Sequence, residues 1–199
     1  MNRFVAAIAL AVLTPLLALL ALAIRLHSPG PVFYRQTRVG LDGRTFRIFK
    51  FRTMIPDAEN CGLGLACASD DERITRVGRW LRRTSLDELP QLINVVLGDM
   101  KIIGPRPTIP SQVEQYTRHQ RRRLEVKPGL TGWAQVNGRN ALSWEDRIEL
   151  DIWYVDHRSP LIDLRILLRT PWAMIESTGI YGRHGVTEDF QPDRQDHDV

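Results

Sequence analysis

Residues 4–24 form an apolar run without a single charged side chain. At about 1.5 Å per helical residue, a run of this length is long enough to cross about 30 Å of hydrocarbon. Pro15 lies in the middle of the run, where it removes one backbone hydrogen bond and predicts a kink. The run therefore predicts a membrane helix that is interrupted halfway along its length.

Basic residues flank this run, with Arg3 before it and Arg25 after it. Because Lys and Arg are retained on the cytoplasmic side, this pattern favours both ends on that side. Each arm of about 15 Å could enter one leaflet and return, and the Thr14 hydroxyl could bind the carbonyl that Pro15 leaves unpaired. We expect residues 1–27 to form a re-entrant helix broken at Thr14 and Pro15; a single span is the alternative.

The remainder of the chain divides into a globular part at residues 28–182 and a polar tail at 183–199. We expect an α+β, mostly helical, monotopic membrane protein with a small β-hairpin and amphipathic interfacial helices. The predicted strands are 32–34 and 45–51, and the predicted helices are 74–83, 90–97, 112–126, one that starts at Ser143, and 161–175. Residues 128–140 are expected to form a glycine-rich connector.

The chain has 24 arginines but three lysines, and a net charge of +4. Arginine suits the forked binding of phosphate, although a GC-rich genome explains the excess as well. Cys61 and Cys67 are interpreted as incidental, because two thiols cannot complete a zinc site or a disulfide framework. The five histidines show no metal-ligand spacing, and no phosphate-binding glycine motif is present.

Two adjacent carboxylates, Asp87 and Glu88, stand out in Ser85-Leu-Asp-Glu-Leu-Pro-Gln91. Pro90 disfavours helix at Leu89, so we place the pair at a bend before a helix N-terminus, where both side chains can converge. One carboxylate could attack phosphorus or hold a metal ion. Compensation of the helix dipole or of nearby arginines explains the pair equally well.

Three cationic side chains are candidates for binding phosphate beside this pair. Arg106 lies between Pro105 and Pro107, which stiffen its backbone and limit the entropy that it loses on binding. Lys50 and Arg52 lie at positions i and i+2 of a predicted strand and so share one face. A helix-to-loop turn would use the same two prolines around Arg106, and a solvated strand edge is the alternative for Lys50 and Arg52.

Six motifs, in order along residues 1–175, resemble the bacterial sugar transferases, and more narrowly the small monotopic phosphoglycosyl transferases. They are Ser28-Pro-Gly-Pro-Val-Phe-Tyr-Arg-Gln36, Lys50-Phe-Arg-Thr-Met54, Ser85-Leu-Asp-Glu-Leu-Pro-Gln-Leu92, Gly98-Asp-Met100, Gly104-Pro-Arg-Pro107 and Lys127-Pro-Gly-Leu-Thr-Gly-Trp-Ala-Gln-Val-Asn-Gly138.

The resemblance implies transfer of a sugar-1-phosphate from a UDP-sugar to undecaprenyl (polyprenyl) phosphate, with release of UMP. It implies a phospho-aspartate intermediate, Mg²⁺, and a place at the start of membrane-bound glycan assembly. Asp87 would be the nucleophile and Glu88 its partner in metal binding or acid–base work. The resemblance makes Arg82, Arg106 and Lys50 candidates for binding the substrate phosphates. Arg52 and Gln91 complete the predicted substrate- and phosphate-binding set.

The resemblance also implies a proline-broken re-entrant helix in the inner leaflet of the bacterial inner (cytoplasmic) membrane, with the catalytic part on the cytoplasmic face and no nucleic acid as partner. Two rival functions remain open. One is a non-catalytic, membrane-anchored polyanion-binding protein that uses its arginines. The other is a phosphohydrolase, in which water resolves the aspartyl phosphate.

Overall fold

The computed structural model describes residues 2–61, 67–68, 70–175 and 186–187. Over these residues the fold is mostly helical with small sheets, as the α+β prediction requires. The α-helices are α1 (Asn2–His27), α2 (Arg76–Thr84), α3 (Leu92–Leu97), α4 (Pro110–Glu114), α5 (Trp133–Val136), α6 (Trp144–His157) and α7 (Pro160–Ile175). The strands are β1 (Phe33–Val39), β2 (Thr45–Phe51), β3 (Cys67–Ala68), β4 (Lys101–Ile103), β5 (Gly129–Thr131) and β6 (Val186–Thr187).

Helix α1 is the one described helix long and apolar enough to cross a membrane by length and composition. Pro15 lies inside this helix, which is continuous from Asn2 to His27, and the kink expected at Pro15 stays a prediction. The Thr14 hydroxyl donates to the Leu10 carbonyl at 2.8 Å. That carbonyl is one residue before the Ala11 carbonyl, the one that Pro15 deprives of a donor, so Thr14 does not take the expected role.

One side of α1 packs against the globular part near both of its ends. Arg3 donates to the carbonyls of Val96 and Leu97, at 2.7 and 3.1 Å. Towards the other end, Ile24 is buried in a cluster with Phe51 at the end of the hairpin. The two ends of α1 therefore contact the same globular unit.

The opposite side of α1 exposes a continuous series of large apolar side chains. Such a surface is far larger than a soluble monomer usually leaves uncovered. It is compatible with a monotopic membrane protein, whose lipid contact covers that side. The exposed side chains are Phe4, Val5, Ile8, Val12, Leu16, Leu19, Leu22 and Leu26.

Helix α7 also presents apolar side chains outward, among them Leu164, Leu168 and Trp172. Two arginines of α7, Arg165 and Arg169, also contact α5. The guanidiniums of Arg165 and Arg169 lie 5.7 and 5.8 Å from the ring centroid of Trp133. Stacking on an aromatic face stabilises a guanidinium, so these arginines join α7 to α5.

Strands β1 and β2 form the predicted antiparallel hairpin, with Phe33 opposite Phe51. β1 extends five residues beyond the predicted strand 32–34. Polar residues follow Tyr34 in the sequence, and they conceal the alternation of exposed and covered positions. After the hairpin, α2 begins where the Thr75 hydroxyl accepts from Gly78 N at 2.9 Å. A Cβ at Gly78 would lie 1.9 Å from the Thr53 carbonyl oxygen, so only glycine lets α2 approach the end of the hairpin this closely.

Two sequence predictions in the second half are wrong. Residues 112–126 do not form one helix: α4 ends at Glu114, and a separate 3-10 helix, Gln120–Leu124, follows. Thr117 and Gln120 exchange reciprocal backbone-to-side-chain hydrogen bonds, which start the second segment. The connector at 128–140 contains β5, which pairs in parallel with β4.

The tail predicted at 183–199 lies mostly outside the described residues. Its described part, Val186–Thr187, is strand β6, which pairs antiparallel with β3. The region 61–68, to which no motif assigned a role, is likewise described only at Cys61 and at β3.

Candidate active site

A left-handed turn at Ser85 places the carboxylate pair. Ser85 has φ 55° and follows α2, and the 3-10 helix Leu86–Gln91 starts immediately after it. Asp87 and Glu88 occupy the first turn of that helix. The bend was expected at Pro90, but Pro90 lies inside the 3-10 helix, and the chain turns at Ser85 instead.

Glu88 is held by two cations from separate elements. Lys50 of β2 donates to Glu88 Oε1 at 2.8 Å, and Arg106 donates to Oε1 at 2.7 Å and to Oε2 at 3.2 Å. Burial alone would raise the pKa of Glu88, but the charges and hydrogen bonds of Arg106 and Lys50 outweigh it and hold the pKa well below its usual range. Glu88 is therefore ionised, and both of its carboxylate oxygens accept hydrogen bonds.

Asp87 has a different environment from its neighbour. Within the described residues it has no hydrogen-bond or ion-pair partner. Burial raises its pKa to about 6; the charge of Lys50 opposes this shift and the charge of Glu88 adds to it. Asp87 is thus a half-buried carboxylate that is largely ionised near neutral pH and unpaired in the described part of the chain.

Lys50 and Arg106 complete the centre of the site. Burial lowers the pKa of Lys50 despite the attraction of Glu88. The Glu88 charge raises the pKa of Arg106, whose side chain is 44% exposed. Arg106 therefore connects Glu88 to the solvent, which is where an anionic substrate would arrive.

Arg82 lies beside the pair and acts on Asp87 through its charge. Its Nε donates to Thr53 Oγ1 at 2.9 Å and its Nη1 to Cys67 Sγ at 2.8 Å. Burial raises the pKa of the Cys67 thiol, against the effect of Arg82. Cys67 was interpreted as incidental, yet it helps to orient one of the predicted phosphate-binding residues.

Two predicted binding residues are buried. Arg52 is buried, and its guanidinium donates to the carbonyls of Pro29 and Ser28, at 2.7 and 2.9 Å, and to the Ser28 hydroxyl at 2.7 Å. It ties the hairpin to the segment after α1. Gln91 is 2% exposed, and its amide nitrogen has no partner in the described part of the chain.

Arg139 is a cation near the pair that sequence reasoning missed. Its guanidinium donates to Ser85 Oγ at 3.0 Å and to the Ala173 carbonyl of α7 at 3.2 Å. Burial lowers its pKa, and the charges of Glu88 and Asp87 act on it. Its φ of 53° is uncommon for a residue with a side chain. The sequence feature that could have identified Arg139 as a site residue is its position directly after the Lys127–Gly138 motif.

A family profile for bacterial sugar transferases matches residues 1–177. The chain belongs to the bacterial sugar transferase family. This sugar transferase is 48% identical over 183 residues to the uncharacterized sugar transferase EpsL of Bacillus subtilis (strain 168), a match that covers 92% of this chain and 89% of that protein.

Two longer relatives carry names that state a reaction. The UDP-glucose:undecaprenyl-phosphate glucose-1-phosphate transferase of Escherichia coli (strain K12) is 44% identical over 173 residues, which cover 83% of this chain and 37% of that protein. The UDP-N-acetylgalactosamine-undecaprenyl-phosphate N-acetylgalactosaminephosphotransferase of Aeromonas hydrophila is 42% identical over 185 residues, or 90% of this chain and 44% of that protein. The sugar transferase spans less than half the length of these two relatives.

The side chains that could ligate a metal ion in this sugar transferase determine which ion it could bind. The described residues contain no group of three or more His, Cys, Asp or Glu side chains suited to a metal. Asp87 offers free oxygens, whereas Glu88 would have to release Lys50 or Arg106 first. Mg²⁺ prefers oxygen, keeps several waters and takes one or two carboxylates together with substrate phosphates, so the site fits Mg²⁺ through Asp87 better than through Glu88.

Proposed function

We propose that this sugar transferase moves a sugar-1-phosphate from a UDP-sugar to a polyprenyl phosphate such as undecaprenyl phosphate, releasing UMP. The names of the Escherichia coli and Aeromonas hydrophila relatives support this reaction. The observation that supports the assignment of roles is the asymmetry of the pair. Glu88 is bound by Lys50 and Arg106, while the Asp87 carboxylate has no partner among the residues that the structure describes.

Two displacements at one phosphorus would accomplish the transfer. An Asp87 oxygen attacks the phosphorus that bears the sugar, and the bond from that phosphorus to the bridging oxygen breaks, so that UMP departs with the electron pair. An oxygen of the polyprenyl phosphate then attacks the same phosphorus, and the bond to Asp87 breaks. The carboxylate is restored, and neither step needs a net proton transfer.

The cations of the site make the first displacement feasible. A carboxylate is repelled by a diphosphate, so fixed positive charge must offset the phosphate oxygens. Arg106 is oriented by Glu88, and Arg82 by Thr53 and Cys67. Arg139 adds a third guanidinium beside Ser85. When bound, Mg²⁺ would neutralise further diphosphate charge, with Asp87 as its protein ligand.

We propose a re-entrant placement of α1, with the site on the cytoplasmic face of the inner membrane. At about 1.5 Å per residue, α1 is about 39 Å long. Arg3 and Ile24, near its opposite ends, both contact the globular part. A span would carry one of these ends away from that part, whereas a shallow insertion keeps both and leaves the exposed apolar side for lipid.

Release of UMP from purified protein in nanodiscs tests this function. A panel of UDP-sugars is offered with and without polyprenyl phosphate, in Mg²⁺ or in EDTA. Sustained UMP release should require one of the UDP-sugars, the lipid and Mg²⁺. Many turnovers without the lipid would identify a phosphohydrolase instead, and no release from any donor under any condition would contradict an enzymatic role.

A further inference from the structure

The segment Pro105-Arg106-Pro107 can be held almost solely through its carbonyl groups. Two of its three residues are prolines, which have no N–H to donate. The Pro105 carbonyl accepts from Gly129 N at 2.9 Å. The Arg106 carbonyl accepts from Arg123 Nη2 at 3.0 Å. The backbone from which the Arg106 side chain extends is thus tied to the side chain of another arginine.

Arg123 is buried together with its counterion. It is 4% exposed, and Asp151, in the middle of α6, is 1% exposed. One guanidinium nitrogen of Arg123 binds both Asp151 and the Arg106 carbonyl, and the other donates to the Tyr116 hydroxyl at 2.7 Å. The planar guanidinium holds its donors in a fixed fork on two separate nitrogens, whereas a lysine ammonium offers three donors from a single nitrogen and cannot reproduce this spacing.

Stability alone does not account for this buried pair. The cost of removing two charges from water can exceed their attraction, and apolar side chains of similar volume often serve a core equally well. The bond to the Arg106 carbonyl is what an apolar replacement could not provide. It links α6 through Arg123 to Arg106, and Arg106 in turn holds both oxygens of Glu88.

We propose that Arg123 and Asp151 are positioning residues that fix Arg106 over the carboxylate site. Neither residue touches the substrate; both act through the backbone of Arg106. The inference rests on the proposed function, in which Arg106 meets the phosphates of the donor. It assigns a role to a buried ion pair that the two displacements do not use directly.

Arg123→Lys tests this role, because it keeps the charge beside Asp151 and loses the fork. We expect kcat for UMP release to fall about 10- to 100-fold. KM for the UDP-sugar should rise, because Arg106 is no longer held in position to contact the donor phosphates. A merely structural defect would lower the amount of active enzyme and leave KM unchanged. An unchanged KM in Arg123→Lys would overturn the proposal.

Two matched controls separate positioning from packing. Tyr116→Phe removes one partner of Arg123 but keeps its bond to Arg106, so KM should stay close to that of the wild type. Ile148→Val perturbs the core on the same helix as Asp151, where Ile148 is 0% exposed, and should also leave KM unchanged.

A double-mutant cycle identifies the residue through which Arg123 acts. In an Arg106→Ala background, Arg123→Lys should reduce kcat/KM less than about threefold further, because the group that it positions is gone. A full and independent loss in that background would overturn the proposal.

Hydrogen exchange at residues 104–108 supplies a readout that does not depend on activity. Arg123→Lys should speed amide exchange in this segment, and Ile148→Val should not. Equal exchange in the two variants would overturn the positioning role. If the wild type releases no UMP, the proposed function fails, and this measurement still decides whether Arg123 fixes the Arg106 segment.

Discussion

Arg106 donates to both carboxylate oxygens of Glu88, at 2.7 and 3.2 Å. With Lys50 also bound to Oε1, Glu88 is the counterion of two separate structural elements, the hairpin and the Pro105–Pro107 segment. Asp87 precedes it in the chain and has no such bond among the described residues. Substitutions that neutralise the two neighbouring carboxylates should therefore change the free energy of unfolding in opposite directions.

Neutralising Asp87 should stabilise the fold, whereas neutralising Glu88 should destabilise it. Asp87→Asn removes a charge that burial disfavours and should raise the free energy of unfolding by up to about 3 kcal/mol. Glu88→Gln leaves Lys50 and Arg106 without their counterion and should lower it by about 1–3 kcal/mol. Unfolding in detergent with EDTA measures both, and shifts of the same sign would contradict this environment for the pair.

The stabilisation by Asp87→Asn should depend on pH in a defined direction. The pKa of Asp87 is raised from 3.8 to about 6 in the folded protein, so the unfolded chain loses this proton first as pH rises. The wild type should therefore lose stability relative to Asp87→Asn between about pH 4 and 6, with a constant difference above that range. Unfolding measured from pH 4 to 8 in EDTA checks this, and a difference that grows towards acid would refute it.

Replacement of Arg52 should change the stability of the protein, whereas replacement of Arg82 should change KM for the UDP-sugar. Arg52→Gln breaks three hydrogen bonds to Ser28 and Pro29 and should lower stability by about 2–4 kcal/mol, with KM for the UDP-sugar unchanged. Arg82→Gln should raise KM about tenfold, because a charge beside Asp87 is lost. Steady-state UMP release well below the melting temperature separates the two. A KM effect confined to Arg52→Gln would reverse the assignment.

Labelling of single cysteines should place both ends of α1 on one side of the membrane. Cysteines introduced at Asn2 and His27, both exposed, are tested in a Cys61→Ser background with the buried Cys67 retained. An impermeant maleimide should label both positions in inside-out vesicles and neither in intact spheroplasts. Labelling of one position from each side would establish a single span.

Local patterns in the sequence predicted the elements that local physics determines. The hairpin, α2, α7 and the Ser143 cap, whose hydroxyl accepts from Asp146 N, all follow from periodicity and capping chemistry. The parallel pairing of β4 with β5 did not, because it depends on a partner far along the chain.

The composition of the site was predictable from the sequence, but the division of roles within it was not. The Asp-Glu pair, Lys50 and Arg106 were found from their motifs. Which carboxylate is bound depends on where the hairpin and the Pro105–Pro107 segment meet, a contact that no local pattern encodes. The same limit applies to Arg52, whose guanidinium turns to Ser28, and to Arg139, which reaches Ser85 across the fold.

As the proposed nucleophile, Asp87 should become covalently attached to the sugar phosphate. Mass spectrometry of the protein incubated with its UDP-sugar and Mg²⁺, without polyprenyl phosphate, tests it most directly. We expect one sugar-phosphate adduct on the peptide that contains Asp87, one equivalent of UMP, and loss of the adduct when the lipid is added. An adduct on Glu88, or turnover by Asp87→Asn at the wild-type rate, would contradict it.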